Sequence, residues 1–186
     1  YYKPPSDPDK PVIIMFHGNA GHHGYRGVKA RPYIENGYGV LLAGYRGYAD
    51  NPGNPTEQGL YKDGQAYMAF LQAQDIQQKD IVLYGESLGT GVVTKLAVDY
   101  PDILAVILET PYTSLAAVGQ HHMFYAPVKL LMRDRYDSLS RVSNIKAPVA
   151  ILHGRFDEVV PFSFGKSLYE AIQAPKKFII FDKCSS

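Results

Sequence analysis

Cysteine and long apolar runs are scarce in this sequence of 186 residues, and tryptophan is missing. The single cysteine, Cys184, excludes an internal disulfide and suits a reducing compartment, so we expect a cytoplasmic location. No stretch of about 18 apolar residues is present, so none of this sequence is expected to span a membrane. No secretory signal is visible. The sequence opens abruptly at Tyr1-Tyr2, and membrane association is expected only through an anchor upstream of it.

Neither sign of charge is in excess, because the formal net charge is only +1. This balance excludes a bulk electrostatic attraction to nucleic acid, so we expect no nucleic-acid partner. Hydrophobic residues make up 46% of the sequence, enough for one globular domain with a substantial core. Since no repeat, low-complexity tract or linker interrupts it, we expect a single domain over residues 1–186.

Short apolar runs rich in β-branched residues recur along the chain and predict strands buried on both faces. The predicted strands are Val12–Phe16, Tyr38–Ala43, Ile81–Tyr84, Leu104–Leu108, Val149–Leu152 and Phe178–Phe181. Helical patterns separate some of them: one after the N-cap candidate Thr56, with Leu60, Tyr67, Phe70 and Leu71 as its apolar stripe, one after Ser87, and one from Ser163 to Ala174. This alternation predicts an α/β fold with a mostly parallel central sheet flanked by helices.

Residues 111–146 form the longest stretch without strand character. Two interpretations stay open for it: a small cap over the functional site, or an ordinary surface connection of the sheet.

The residues Gly85-Glu86-Ser87-Leu88-Gly89 lie between a predicted strand and a predicted helix. A G-x-S-x-G sequence at such a turn is typical of a nucleophile elbow, in which a strained backbone exposes the serine hydroxyl. Glycine is needed at both ends because side chains there would collide with neighbouring backbone. Ser87 is therefore the candidate nucleophile, and the alternative is a plain Gly/Ser turn.

A glycine-rich turn, His17-Gly18-Asn19-Ala20-Gly21, directly follows the strand Val12–Phe16. Backbone N–H groups of such a turn can form an oxyanion hole with the N–H after the nucleophile. The candidate donors are Asn19, or Ala20, together with Leu88. The alternative is a tight turn that needs glycine for positive φ.

An acidic pair follows the late strand Val149–Leu152, in the sequence His153-Gly154-Arg155-Phe156-Asp157-Glu158. A carboxylate on this loop would orient a catalytic imidazole. We select Asp157, with Glu158 as the second choice, against the alternative of an acid that only braces the loop.

Five blocks together resemble the α/β-hydrolase superfamily, and most closely its serine-aminopeptidase-like hydrolases and the α/β-hydrolase-domain proteins of eukaryotes. They are F-H-G-N-A-G (16–21), G-Y-R-G-Y (44–48), G-E-S-L-G-T-G (85–91), E-T-P-Y-T-S (109–114) and I-K-A-P-V-A-I-L-H-G-R-F-D-E-V-V-P (145–161). The resemblance implies a serine hydrolase that cleaves esters or thioesters through an acyl-enzyme on Ser87, with no cofactor and a small-molecule or lipid-like acyl substrate. A serine peptidase, an acyltransferase and a non-catalytic binding domain remain alternatives.

The resemblance also implies a histidine after the last strand, yet no histidine follows Asp157. We therefore expect residues 1–186 to be an incomplete domain, truncated at both ends, with the catalytic histidine just beyond Ser186. His17 and His153 resemble the family's structural His-Gly pairs, and the adjacent pairs His22-His23 and His121-His122 are not placed with familiar metal-ligand spacing, so no metal site is expected.

Three residues are candidates for the wall of a substrate pocket: Ala20, His22 and Tyr112. The aromatic content near residues 111–146 favours an apolar pocket, although packing of that segment on the sheet is an equal explanation. Glu109, which ends a strand beside the elbow, is a further candidate for contact with a cationic substrate group.

Overall fold

The computed structural model describes residues 1–19, 23–123, 125 and 127–182, with the side chains of 23–26, 129 and 130 left aside. Its strands are β1 (Tyr2–Lys3), β2 (Val12–Phe16), β3 (Gly39–Ala43), β4 (Ile81–Glu86), β5 (Ala105–Glu109), β6 (Val149–Gly154) and β7 (Lys176–Phe181). Its helices are α1 (His23–Glu35), α2 (Glu57–Gln72), α3 (Leu88–Asp99), α4 (Leu115–His122), α5 (Val128–Leu131) and α6 (Phe162–Ala171), with 3-10 turns at Gln78–Asp80 and Val142–Asn144.

The strands form one seven-stranded sheet in the order β1-β3-β2-β4-β5-β6-β7. Only the β1–β3 pair is antiparallel, and every other neighbouring pair is parallel. The predicted α/β fold with a mostly parallel sheet is thus confirmed. Because β2 lies between β3 and β4, the strand order reverses at β2, and the crevice at such a reversal is where open α/β sheets bind ligands.

Two apolar layers cover the sheet, as the alternation along β2 shows. Val12, Ile14 and Phe16 pack into the larger layer with α2, α3 and α6. Ile13 and Met15 point to the smaller layer, which contains Ala30 of α1 with Tyr33 and Ile34 packed beside it.

The predicted helix after Thr56 is confirmed, because the Thr56 side chain accepts a hydrogen bond from the Gly59 N–H at the start of α2. Of its predicted apolar stripe, Leu60 and Leu71 are buried, whereas Phe70 is 41% exposed. Phe70 instead packs its ring edge-on against Tyr2 at the edge of the sheet.

Helix α1 is missing from the sequence-based prediction. It begins at His23, has Pro32 inside it and carries no acidic residue in its first turn. Across the described ranges, none of the helices combines the length and the apolar character needed to cross a bilayer. Residues 111–146 hold α4, α5 and a 3-10 turn, and their role as a cap stays a prediction.

Candidate active site

Ser87 occupies the tight turn between β4 and α3 in a backbone conformation that few side-chain-bearing residues adopt, with φ 47° and ψ −114°. A Cβ on Gly85 would lie 2.7 Å from the Gly89 carbonyl oxygen, and a Cβ on Gly89 would lie 2.7 Å from the Phe16 carbonyl carbon. Neither contact is tolerable, so both flanking residues must be glycine. The strained turn predicted at Ser87 is confirmed.

The backbone of Ser87 is held from both sides. Its N–H donates to the Glu109 carbonyl oxygen at 3.0 Å, and its own carbonyl accepts from the Thr90 N–H at 2.9 Å and the Thr90 hydroxyl at 2.6 Å. The Ser87 side chain makes no capping hydrogen bond to α3. The hydroxyl is therefore not used to complete the helix, although serine at this position commonly is.

The turn after β2 lies directly beside the elbow. A Cβ on Gly18 would sit 3.1 Å from the Ser87 Cβ, so glycine permits this close approach. Asn19 follows as an exposed residue whose Oδ1 accepts a hydrogen bond from the Tyr48 hydroxyl at 2.6 Å. Leu88 is the first residue of α3, where N–H groups lack intrahelical acceptors. The structure thus brings the segments of both oxyanion candidates together, while Ala20 and His22 lie outside the described residues.

His17 packs its buried ring against this turn and supports it. Its ring is buried at 6% exposure, its Nδ1 lies 2.7 Å from the Gly18 carbonyl oxygen, and its centroid is 4.4 Å from that of Tyr45. The Tyr45 hydroxyl in turn donates to the His17 carbonyl at 3.3 Å. The structural part expected for His17 agrees with these contacts.

Asp157 lies on the loop after β6 with its side chain 14% exposed. Its Oδ1 accepts the N–H groups of Val159 at 2.9 Å and Val160 at 2.8 Å, while its Oδ2 lies 3.7 Å from His153 Nε2. One carboxylate oxygen therefore braces the loop, as the alternative interpretation expected, and these loop bonds leave Oδ2 unused. The second choice, Glu158, is exposed.

His153 is fully buried beneath the same loop. Burial lowers the pKa of His153, and this effect outweighs the opposing influence of the Val160 carbonyl and of Asp157. A neutral ring donates through Nε2 to the Val160 carbonyl oxygen at 2.9 Å. A Cβ on Gly165 would overlap this ring, so glycine there makes room for it. His153 thus holds the acid loop in shape, in agreement with the structural part expected for it.

Tyr112 requires a correction, because it is 1% exposed and lies in the core beneath the elbow instead of on an open pocket wall. Its hydroxyl donates to the Leu88 carbonyl oxygen at 3.2 Å. A Cβ on Gly91 would overlap that hydroxyl. Tyr112 therefore supports the first turn of α3 from within.

A charged cluster beside Ser87 went unrecognised in the sequence. Lys29 Nζ donates to Glu86 Oε2 at 2.6 Å and to Glu109 Oε2, and the Tyr84 hydroxyl also donates to Glu109 Oε2. The cation that Glu109 contacts is Lys29 of the protein itself, and contact with a cationic substrate group stays a prediction. The sequence did not indicate this cluster, because Lys29 lies on α1, a helix that the hydrophobic pattern does not predict.

Within the described ranges, no group of three or more His, Cys, Asp or Glu side chains is arranged to hold a metal ion. The groups that the parallel strands place at this end of the sheet are instead Ser87, the backbone of the turn after β2 and the Asp157 carboxylate.

Comparison with known proteins gives this arrangement its family. A family model described as serine aminopeptidase, S33, matches residues 7–139, well over half of the chain. An uncharacterised protein of Mycobacterium tuberculosis is 38% identical over 181 residues, which are 97% of this chain and 64% of that protein. The lysophosphatidylserine lipase ABHD12 of Danio rerio is 34% identical over 191 residues, covering 91% of this chain and 49% of that protein.

The fold has solved counterparts as well. The monoacylglycerol lipase of Paleococcus ferrophilus superposes with a TM-score of 0.74 at 20% identity, covering 97% of this chain and 88% of that one. A likeness at this identity shows the fold alone. The chain spans 64% and 49% of the lengths of the two sequence relatives above. By its matched model and its fold, this chain belongs to the serine aminopeptidase S33 family of α/β hydrolases.

Proposed function

We propose that this protein is a serine hydrolase that cleaves an ester or thioester through an acyl-enzyme on Ser87. One observation carries the proposal: Ser87 has a glycine-type backbone conformation and a side chain that does not cap α3, directly beside Gly18. Strain of this kind costs on the order of 1–3 kcal/mol and persists where the surrounding structure enforces it, typically at functional sites.

In this mechanism the Ser87 hydroxyl attacks the acyl carbonyl, and its proton passes to an imidazole. The N–H groups of Leu88 and Asn19 stabilise the negative charge that develops on the carbonyl oxygen. The leaving group takes the proton from the imidazolium, and water then hydrolyses the acyl-enzyme by the same route.

Asp157 orients the imidazole through Oδ2, the oxygen that the Val159 and Val160 N–H groups do not use. We assign the base to a histidine encoded downstream of Ser186. Strand β7 ends beside the acid loop, where the Arg155 N–H donates to the Phe181 carbonyl at 2.8 Å. Chain that continues from this point starts within reach of Asp157.

An apolar acyl group fits the surroundings of the acid loop. Phe156 is 64% exposed and Val159 is 67% exposed, on either side of Asp157. The end of α4 joins this rim, because His122 Nε2 lies 2.7 Å from the Val159 carbonyl oxygen, and Met123 beside it is 44% exposed. The name of the lysophosphatidylserine lipase among the sequence relatives supports the same substrate class.

The test uses the full-length protein that contains this chain. A fluorophosphonate probe should label the wild type at Ser87 and fail to label Ser87→Ala, while Ser167→Ala in α6 serves as the matched serine control. p-Nitrophenyl esters of increasing acyl length should be hydrolysed in preference to aminoacyl p-nitroanilides. A folded wild type without Ser87 labelling would refute the proposal, and preference for the anilides would favour a peptidase.

Asp157→Asn tests the acid without disturbing the loop, since the amide oxygen can still accept the Val159 and Val160 N–H groups. It should lower kcat by about 10⁴-fold, because an amide beside the imidazole favours the wrong tautomer. Glu158→Gln is the matched control and should leave kcat unchanged. Equal activities for the two variants would remove Asp157 from the mechanism.

A further inference from the structure

Lys29 joins three elements at the edge of the sheet that carries Ser87. It extends from α1 to Glu86 at the end of β4, at 2.6 Å, and to Glu109 at the end of β5. The Tyr84 hydroxyl donates to the same Glu109 oxygen, and the Lys29 ammonium lies 5.4 Å from the Tyr84 ring centroid. The side chains of Lys29, Glu86 and Glu109 are 33%, 41% and 26% exposed.

The two carboxylates belong to the residues that hold the nucleophile in place. Glu86 immediately precedes Ser87, and the carbonyl of Glu109 accepts the Ser87 N–H at 3.0 Å. Glu86 and Glu109 are also direct partners across the parallel β4–β5 ladder. Like charges directly opposite one another on neighbouring strands are unfavourable. Lys29 places an ammonium between them.

In the part of α1 whose side chains are described, few residues are buried. Of its side chains from Gly27 to Glu35, only Ala30 is buried, with Tyr33 and Ile34 partly buried against the sheet. Pro32 inside the helix removes one intrahelical hydrogen bond. A charged contact therefore contributes more to the placement of α1 than it would for a helix with a broad apolar face.

The Lys29 cation stays protonated in this setting. Burial acts to lower the pKa of Lys29, but the hydrogen bonds and charges of Glu109 and Glu86 together outweigh burial and raise it. Burial, followed by Glu109, raises the pKa of Tyr84, so Tyr84 remains a neutral donor.

We propose that Lys29 is a positioning residue, whose ammonium holds α1, and with it the turn after β2, against the strand ends that present Ser87. This inference rests on the proposed function, because the turn after β2 carries one of the two proposed oxyanion donors. When Lys29 is removed, the carboxylates of Glu86 and Glu109 repel each other across the two strands. This repulsion acts on the same residues that form the hydrogen bond between the Ser87 N–H and the Glu109 carbonyl. The serine remains, but its alignment with the Asn19 N–H is lost.

The kinetic test compares Lys29→Met with Lys29→Arg in the full-length protein. Lys29→Met should lower kcat for p-nitrophenyl butyrate by about tenfold or more, with KM changed less than about twofold, since misplacement affects the transition state more than ground-state binding. Lys29→Arg keeps both ionic contacts and should recover most of kcat. Arg31→Met is the matched control on the same helix, because Arg31 pairs only with the exposed Glu35. A kcat for Lys29→Met equal to that of Arg31→Met, or no recovery with arginine, would overturn the proposal.

Hydrogen–deuterium exchange tests, independently of catalysis, whether the Lys29 contacts hold α1 against the strand ends. In Lys29→Met, amides of α1 and of residues 85–89 should exchange about tenfold faster than in Arg31→Met, while those of β6 and β7 should not change. If the wild type neither labels nor hydrolyses, the proposed function fails by itself. Faster exchange in Lys29→Met then still supports the positioning of α1 by Lys29, and unchanged exchange refutes it.

Discussion

Replacing Ser87 with glycine should stabilise the fold more than replacing it with alanine. At φ 47° and ψ −114° a residue with a Cβ is strained, at a cost of about 1–3 kcal/mol. Alanine keeps that strain, whereas glycine relieves it and loses about 0.4–1 kcal/mol because its unfolded chain is more flexible. The balance predicts that Ser87→Gly has a free energy of unfolding about 1 kcal/mol higher than Ser87→Ala, or a Tm about 2–4 °C higher for a domain of this size.

Urea unfolding of both variants measures this difference, with Ser167→Gly and Ser167→Ala as the control pair. Ser167 lies inside α6, where glycine is less stable than alanine by about 0.8–1 kcal/mol, so the order should reverse there. Both Ser87 variants should lose fluorophosphonate labelling. If Ser87→Gly is no more stable than Ser87→Ala, the elbow is not strained and the central observation behind the proposed function fails.

Two further predictions concern a buried histidine and a half-buried carboxylate. The pKa of His153 is lowered in the folded state, so below about pH 6.5 the unfolded chain binds a proton that the folded protein does not. As the pH is lowered through this range, the free energy of unfolding should fall by up to about 1.4 kcal/mol per pH unit. An NMR titration of the ring with a midpoint at or above about 6.5 would contradict this. Glu57 accepts the N–H groups of Arg135 and Tyr136 at 2.7 and 3.0 Å. Glu57→Ala removes this acceptor and should destabilise the protein by about 1–3 kcal/mol in urea unfolding, against little change for Glu170→Ala on the surface; equal midpoints would refute it.

The strands were predictable because their signal is local. Val12–Phe16 is apolar at every position, and the structure buries all five residues between two layers. The shortness of this run and its β-branched residues favour a buried strand over a buried helix. The helix after Thr56 also has a local signal, because its cap and first-turn acid act within one turn.

Helix α1 was not predictable, because its sequence carries two glycines, an internal proline and a narrow apolar face. The contacts that place it are remote in the chain: Lys29 bonds to residues 57 and 80 positions away. Phe70 was misassigned for a related reason, since its partner Tyr2 belongs to the short strand β1 at the sheet edge.

By itself the sequence predicted the elbow from the G-x-S-x-G pattern between a strand and a helix. The need for glycine at Gly85 is local, because its Cβ would meet the Gly89 backbone, whereas the need at Gly89 comes from the Phe16 carbonyl of β2. Tertiary structure decided what lies beside that serine. The parallel order β2-β4-β5-β6 brings Gly18, Ser87, Glu109 and the Asp157 loop to one edge of the sheet, although long stretches of chain separate them. Lys29 lies beside these residues because α1 packs on the sheet. Tyr112 does not line a pocket, because its side chain is buried in the core beneath α3. The conformation of a turn depends largely on adjacent residues, whereas the meeting of distant residues at one site depends on how whole strands and helices pack.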